Sequence, residues 1–328
     1  VSILSYILTF VEPFDNISDM HKLKVAVIGT GYLGSLHAKI YKELENCSLE
    51  AICDVDKARL QRLCQELSVP GFTDYRQLFN KVDCVSIAVP TKLHHKIAFD
   101  CLKHQIHTLV EKPFTVNLKE ADSLIKLAQR SKLILQVGHI ERFNSAFSST
   151  KKLFCDPYFI ECHRLSSFPA RSLDIGVVLD LMIHDIDIIL GLVNSPIKRI
   201  EAVGVNVLTP FEDIANARIT FGNGCVANLT ASRISDEVMR KIRIFLKNSY
   251  ISLDYKNEQA FIYKKSPQGI VKVSLPIEKE QPLKKELSSF LECVLNNKQP
   301  IVNGEVARQA LAVALKIQKQ IWRNRRKS

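Results

Sequence analysis

The nine cysteines of this chain are scattered, and no two of them stand as a C-x-x-C pair. That pattern offers neither a zinc site nor a disulfide framework, and no metal is expected. Reduced thiols in a cytoplasm fit it best. Acidic residues are missing after Glu305, while Lys316, Lys319, Arg323, Arg325, Arg326 and Lys327 crowd the same end and hold part of the net charge of +11. No nucleic-acid recognition module lies beside them. The basic end therefore reads as a solvated helix terminus, where Lys and Arg suit the carbonyl end of the dipole. Neither nucleic acid nor membrane is an expected partner. Val1 to Val11 is apolar, but it has no positive leading region and is too short to span a bilayer. Residues 1–21 read as a poorly ordered extension ahead of the first strand, with Met20 as a natural start. Repeats and low-complexity stretches are also missing.

What remains is 328 residues with 46% hydrophobic and 24% charged content, enough for two globular domains. The organising stretch is K-V-A-V-I-G-T-G-Y-L-G, Lys24 to Gly34. Lys24 to Ile28 reads as a buried parallel strand. Gly29, Gly31 and Gly34 follow with the spacing G-x-G-x-x-G, enclosing Thr30, Tyr32 and Leu33. Leu33, Leu36, Ile40 and Leu44 then share one face of a helix. The first glycine permits a tight turn, the second lets backbone approach a pyrophosphate, and the third lets helix pack on strand. Amides at the helix N-terminus face the phosphates.

A glycine turn without a ligand is the alternative, and Asp54 argues against it. Asp54 ends the next apolar strand, Leu49 to Cys53, twenty residues after Gly34. A carboxylate there accepts ribose hydroxyls of NAD and repels the extra phosphate of NADP, so NAD is the favoured cofactor.

Strands and helices then alternate. Helical runs are expected at Lys57 to Leu67, around Tyr75 to Asn80, at His94 to Lys103 and at Asn117 to Arg130. Strands are expected at Val82 to Val89, His107 to Val110 and Leu133 to Val137. This is a doubly wound parallel sheet over residues 22–140, with its ligand beyond the strand ends where Val89-Pro90-Thr91 and Glu111-Lys112 emerge. Residues 141–328 change character. Arg142 to Phe154 reads as a connecting helix and Val177 to Leu192 as a long apolar one. Seven strands between Ile197 and Leu275 then imply a largely antiparallel sheet, closed by helices at Lys284 to Leu295 and Gly304 to Arg323.

Two signals bear on chemistry. Glu111-Lys112-Pro113 leaves a strand at the cofactor end, where a lysine is placed for proton transfer; taken alone, the same tripeptide is an ordinary surface turn. Asp180, His184 and Asp187 stand at i, i+4 and i+7 on one face of an apolar helix. Burying three ionisable groups is costly unless they are paired or used. They are either a structural histidine between two carboxylates or part of an active site.

The motifs G-T-G-Y-L-G, P-T-K-L-H ending at His94, E-K-P, and D-L-M-I-H-D-I-D, in that order, resemble the Gfo/Idh/MocA family. The likeness runs from about Lys22 to the C-terminus. It implies a Rossmann domain joined to an α/β domain whose open sheet commonly forms oligomer contacts, hence a homodimer or homotetramer. It also implies that Lys112 and His184 are catalytic with Asp180 beside them, and that Thr91 and His94 lie near the nicotinamide. Gln105 and Met182 stand where the family commonly has glycine. Within the family, G-H-I-E-R-F-N at Gly138 to Asn144 and the Asp174 to Asp187 run are most similar to bacterial nucleotide-sugar dehydrogenases. These include UDP-N-acetylglucosamine 3-dehydrogenases of lipid A or surface-polysaccharide synthesis. Arg142, Asn144, Arg164 and Arg171 fall near the domain junction, and arginines suit a diphosphate; as ordinary junction arginines they would be dispensable. The expected reaction is oxidation of a secondary hydroxyl of a UDP-sugar. A free polyol such as inositol, or an idle NAD-binding sensor, is the alternative.

Overall fold

The computed structural model describes residues 22–168 and 175–325. Arg171 and the expected extension at 1–21 lie outside the described residues. The first domain runs β1 (Leu23–Ile28), α1 (Tyr32–Glu43), β2 (Cys47–Cys53), α2 (Lys57–Leu67), β3 (Gly71–Phe72), β4 (Cys84–Ile87), α3 (His94–Lys103), β5 (His107–Glu111), α4 (Leu118–Ser131) and β6 (Leu135–Gly138). Every residue of β1 but Lys24 is buried, as a strand covered by helices on both faces must be. Side chains cap the helices where the sequence allows it. Asp56 accepts from the Arg59 amide at the start of α2, and Asn117 accepts from the Glu120 amide at the start of α4. The six strands are all parallel in the order β3-β2-β1-β4-β5-β6. The order reverses between β1 and β4, so a crevice opens there at the strand C-terminal ends.

The second domain contains α5 (Ser145–Thr150), β7 (Phe159–Leu165), α6 (Ile183–Leu192), β8 (Ile197–Val205), β9 (Ile214–Phe221), β10 (Val226–Ser232), β11 (Met239–Phe245), β12 (Ser249–Asp254), β13 (Gln259–Ser266) and β14 (Gly269–Leu275). The helices α7 (Pro282–Leu295) and α8 (Gly304–Arg325) follow. Eight strands form one sheet in the order β14-β13-β12-β11-β7-β10-β9-β8. Only the β7–β10 pair is parallel. The helices α6 and α8 pack against each other, and α8 lies against β8.

Four features depart from the sequence expectation. Strand β7 lies at the centre of the sheet, yet the sequence does not announce it. Its inward positions are Ile160, Cys162 and Arg164, and the arginine breaks the apolar alternation. The expected helix from Arg142 to Phe154 is broken into a 3₁₀ turn at Ile140–Phe143, α5, and a second 3₁₀ turn at Lys151–Leu153. Asn144 interrupts it, extended in backbone and accepting from the Ala146 amide as the cap of α5. The long apolar helix starts as a π-helical turn, Val178–Met182, before α6 begins. Finally, α7 returns to the first domain. Leu283, Leu287, Phe290 and Leu291 bury in one core with Val25, Val27 and Ile40, so the packing does not follow a division at residue 140.

Candidate active site

A cleft of about 1080 Å³ takes one wall from the first domain and the other from the second. The first wall is mostly backbone. Gly29 has φ +93, and a Cβ there would stand 2.3 Å from the Ala88 carbonyl oxygen. At Gly34 a Cβ would stand 1.8 Å from the Gly29 carbonyl oxygen, which is the close helix–strand approach that the spacing implies. Gly31, Tyr32 and Leu33 line the cleft, with Tyr32 65% exposed. Thr30 is buried and faces Asp54 instead: its amide (2.7 Å) and hydroxyl (2.8 Å) both donate to Asp54 Oδ2. Asp54 Oδ1 accepts from the Asp56 amide at 2.9 Å. The carboxylate is thus fixed at the cleft edge with an acceptor site on Oδ1 left for a ribose hydroxyl. Arg59, which sequence reasoning missed, reaches the same corner with Nη1 3.8 Å from Asp54 Oδ2.

Val89, Pro90 and Thr91 line the cleft beyond β4. His94 does not. It is buried, with Nδ1 2.9 Å from the Pro113 carbonyl and Nε2 2.8 Å from the Val89 carbonyl. Burial pushes its pKa below the ordinary histidine value despite those carbonyls. A neutral ring has one N–H, so it satisfies one carbonyl at a time. Its place in the structure is to tie the β4 loop to the E-K-P turn.

That turn delivers Lys112. Its Nζ donates to Asp180 Oδ1 at 2.8 Å and to the Asp180 carbonyl at 2.7 Å. Both side chains are largely buried and both residues line the cleft. The π-helical turn widens the backbone at Asp180, and π-turns recur at functional sites. One turn on, His184 lines the same wall and is 8% exposed. Its Nδ1 is buried without a partner, so the ring meets the cleft by its other edge. Burial, and then the Lys112 charge, pushes its pKa well below the ordinary value. His184 is a neutral imidazole at pH 7.

Asp187 does not join this pair. It binds Arg142, whose Nε lies 2.6 Å from Asp187 Oδ2 and Nη2 3.0 Å from Oδ1. Gly191 makes room for that guanidinium, since a Cβ there would meet Arg142 Nη1 at 2.0 Å. Arg142 is thereby committed inside the protein, and neither it nor Asn144 lines the cleft. The expectation that both contact substrate is revised accordingly. Arg164 does reach the cleft wall, but its guanidinium is taken by Asp185 (3.0 and 2.8 Å) and Glu141 (2.7 Å). Ser166, Ser167 and Arg240 also line the second wall and had no sequence signal, because β7 itself was not legible.

A second buried layer lies behind. Glu111 lines the cleft, and its carboxylate accepts from the Lys112 amide at 3.2 Å. His37 Nε2 stands 3.2 Å from Glu111 Oε1, near enough to pair but off line for a hydrogen bond. Burial works to raise the Glu111 pKa, yet His37 and Lys112 outweigh it and hold the value down. Glu286 of α7, fully buried, is pushed well above the ordinary carboxylate value by burial and then by the Glu111 charge. His139 is buried with its ring edge-on to His184, centroids 6.2 Å apart. Among the described residues no group of three or more His, Cys, Asp or Glu is arranged to hold a metal ion. Nor is any helix there long and apolar enough to cross a membrane.

Residues 23–139 match the Gfo/Idh/MocA oxidoreductase family model, an NAD-binding Rossmann fold, and residues 137–251 match the Gfo/Idh/MocA C-terminal domain. The chain is 36% identical to a UDP-N-acetylglucosamine 3-dehydrogenase of Acidithiobacillus ferrooxidans, over 91% of this chain and 97% of that one. A solved structure of that dehydrogenase matches with a TM-score of 0.87, covering 92% of this chain and 98% of its own, at 36% identity. The chain is also 26% identical to a myo-inositol 2-dehydrogenase of Thermotoga maritima, over 92% of this chain and 97% of that one. The chain belongs to the Gfo/Idh/MocA family of oxidoreductases and carries its NAD-binding Rossmann domain.

Proposed function

We propose that the protein oxidises the 3-hydroxyl of UDP-N-acetylglucosamine, or of a closely related UDP-linked sugar, to a 3-keto sugar. The observation that carries this is the Lys112–Asp180 ion pair beside a neutral His184, in a cleft whose other wall is the dinucleotide turn. The similarity to the Acidithiobacillus ferrooxidans dehydrogenase supports the choice of sugar. Bound NAD supplies the acceptor for the hydride that leaves the carbinol carbon. Gly29, Gly31, Gly34 and the fixed Asp54 hold that cofactor.

The chain's own groups divide the rest. Lys112 spends two N–H bonds on Asp180, which leaves its third for the substrate oxygen. As an ammonium it steadies the developing alkoxide. His184, neutral and open to the cleft, takes the hydroxyl proton. Asp180 fixes the Lys112 head group in place.

Two further expectations belong to this reading. All nine cysteines are unpaired, which supports a reducing, cytoplasmic setting. One face of the second sheet carries a cross-strand ladder of Phe159, Phe245, Tyr250 and Tyr263, with successive centroids 5.6, 5.1 and 4.3 Å apart. That face joins copies of the chain. Light scattering should give two or four times the mass of one chain.

The experiment is absorbance in the reduced-nicotinamide band, with NAD and a panel of UDP-sugars beside free polyols. A signal with UDP-N-acetylglucosamine and none with inositol is expected. A signal with inositol alone would overturn the substrate, and silence across the panel would overturn the reaction.

A further inference from the structure

A nucleotide sugar brings a diphosphate into the cleft, and the second wall must meet its charge. Of the three arginines nearest in sequence to the domain junction, the two among the described residues offer no open cation there. Arg142 is committed to Asp187, Arg164 to Asp185 and Glu141, and Arg171 lies outside the described residues. Lys112 is matched by Asp180. Arg240 is different. It lies near the start of β11, lines the cleft and is exposed. Among the described residues no carboxylate pairs with it.

The register of the sheet makes this placement notable. Arg240 is directly opposite Arg164 in the antiparallel β7–β11 pair, so both side chains leave the same face. The carboxylates around Arg164 bind that guanidinium alone, through Nε, Nη1 and Nη2. A second cation, with no carboxylate of its own among the described residues, therefore stands on the wall that faces the sugar-oxidising groups. Its field reaches His184, where it is among the charges that keep the imidazole neutral.

We infer that Arg240 is the diphosphate-binding residue of the substrate site, a contact that selects nucleotide-linked sugars over free ones. The inference rests on the UDP-sugar reading given above. The guanidinium fork can take two oxygens of a diphosphate at once, which an ammonium cannot. Arg240 touches no reacting atom in this account; it sets affinity for the nucleotide end.

The test uses NAD-saturated full-length protein and the variants Arg240→Ala and Arg240→Lys. Affinity for UDP is measured by calorimetry, and kcat and KM are measured with UDP-N-acetylglucosamine. Loss of a charge-assisted contact of this kind should raise KM, and weaken UDP binding, by about 10- to 100-fold in Arg240→Ala. The value of kcat should stay within about threefold, since burial and the Lys112 charge, the larger causes, still keep His184 neutral without Arg240. Arg240→Lys should recover part of the affinity. NAD affinity should not change, and the melting temperature of Arg240→Ala should stay close to that of the parent; a merely structural arginine would lower it. Unchanged KM and unchanged UDP affinity in Arg240→Ala, with the parent active on the UDP-sugar, would overturn the inference and leave the proposed function standing. Parent protein that binds UDP through Arg240 but oxidises another sugar would keep the subsite and overturn the hexose. Parent protein that neither binds UDP nor oxidises a UDP-sugar would remove both.

Discussion

On the first wall of the cleft the groups facing the cofactor are a glycine turn and one carboxylate pinned by Thr30 and Asp56. On the second wall they are side chains whose positions depend on buried ion pairs: Asp180 on Lys112, which reaches across from the first domain, and Arg164 on Asp185 and Glu141. The first kind of wall is fixed by where a Cβ cannot fit. The second is fixed by charge matching between residues far apart in sequence. Substitutions should therefore fail in different ways on the two sides.

The largest effect is expected where the two walls meet, at the Lys112–Asp180 pair. Lys112→Ala should lower kcat by about 100- to 10,000-fold while NAD affinity stays within a few-fold. Stopped-flow turnover with direct NAD titration separates the two, and normal turnover would remove Lys112 from the mechanism. Next in size, Asp185→Ala leaves the buried Arg164 with only Glu141. A broken buried pair costs about 3–5 kcal/mol, readable as a lower urea midpoint at unchanged slope. A midpoint equal to the parent's would mean that charge matching does not hold this wall. On the first wall, Gly34→Ala forces the Gly29 carbonyl aside, at about 1–3 kcal/mol of overpacking. Here NAD affinity should fall, while the Lys112–Asp180 pair stays intact.

The smallest effect per group concerns acid. His139 and His184 are both held below the histidine reference of 6.5, first by burial. The unfolded chain therefore takes up protons near that pH before the folded one does. Their contribution to stability is complete above pH 6.5 and is lost as pH falls below it, by at most about 1.4 kcal/mol per pH unit for each histidine. For the same reason the acid limb of kcat/KM should lie below pH 6.5. Urea midpoints and rates over one pH series check both, and an acid limb at or above that value would contradict a neutral His184.

The same contrast explains what was legible in the sequence. G-x-G-x-x-G and Asp54 announce the first wall because its constraints are local: a turn, a close approach, a strand end. Lys112, Asp180 and His184 were legible as motif residues, and the structure gathers all three on the cleft. The partners were not. Nothing near Arg142 in sequence shows that Asp187 and the gap at Gly191 will absorb it. Arg164 even hid its own strand, because a buried arginine erases the apolar alternation by which strands are read. With β7 unread, its antiparallel partner Arg240 had no address. The π-helical turn was equally silent, since Val178 to Met182 is as apolar as the α-helix that follows.

The most direct measurement of the central claim follows one hydrogen. UDP-N-acetylglucosamine deuterated at C3 is incubated with the protein and NAD, and the reduced cofactor is weighed by mass spectrometry. The nicotinamide should gain one deuterium, and turnover should slow relative to the unlabelled sugar. Reduced cofactor without deuterium would place the oxidation at another carbon, and no reduced cofactor at all would contradict the proposed reaction.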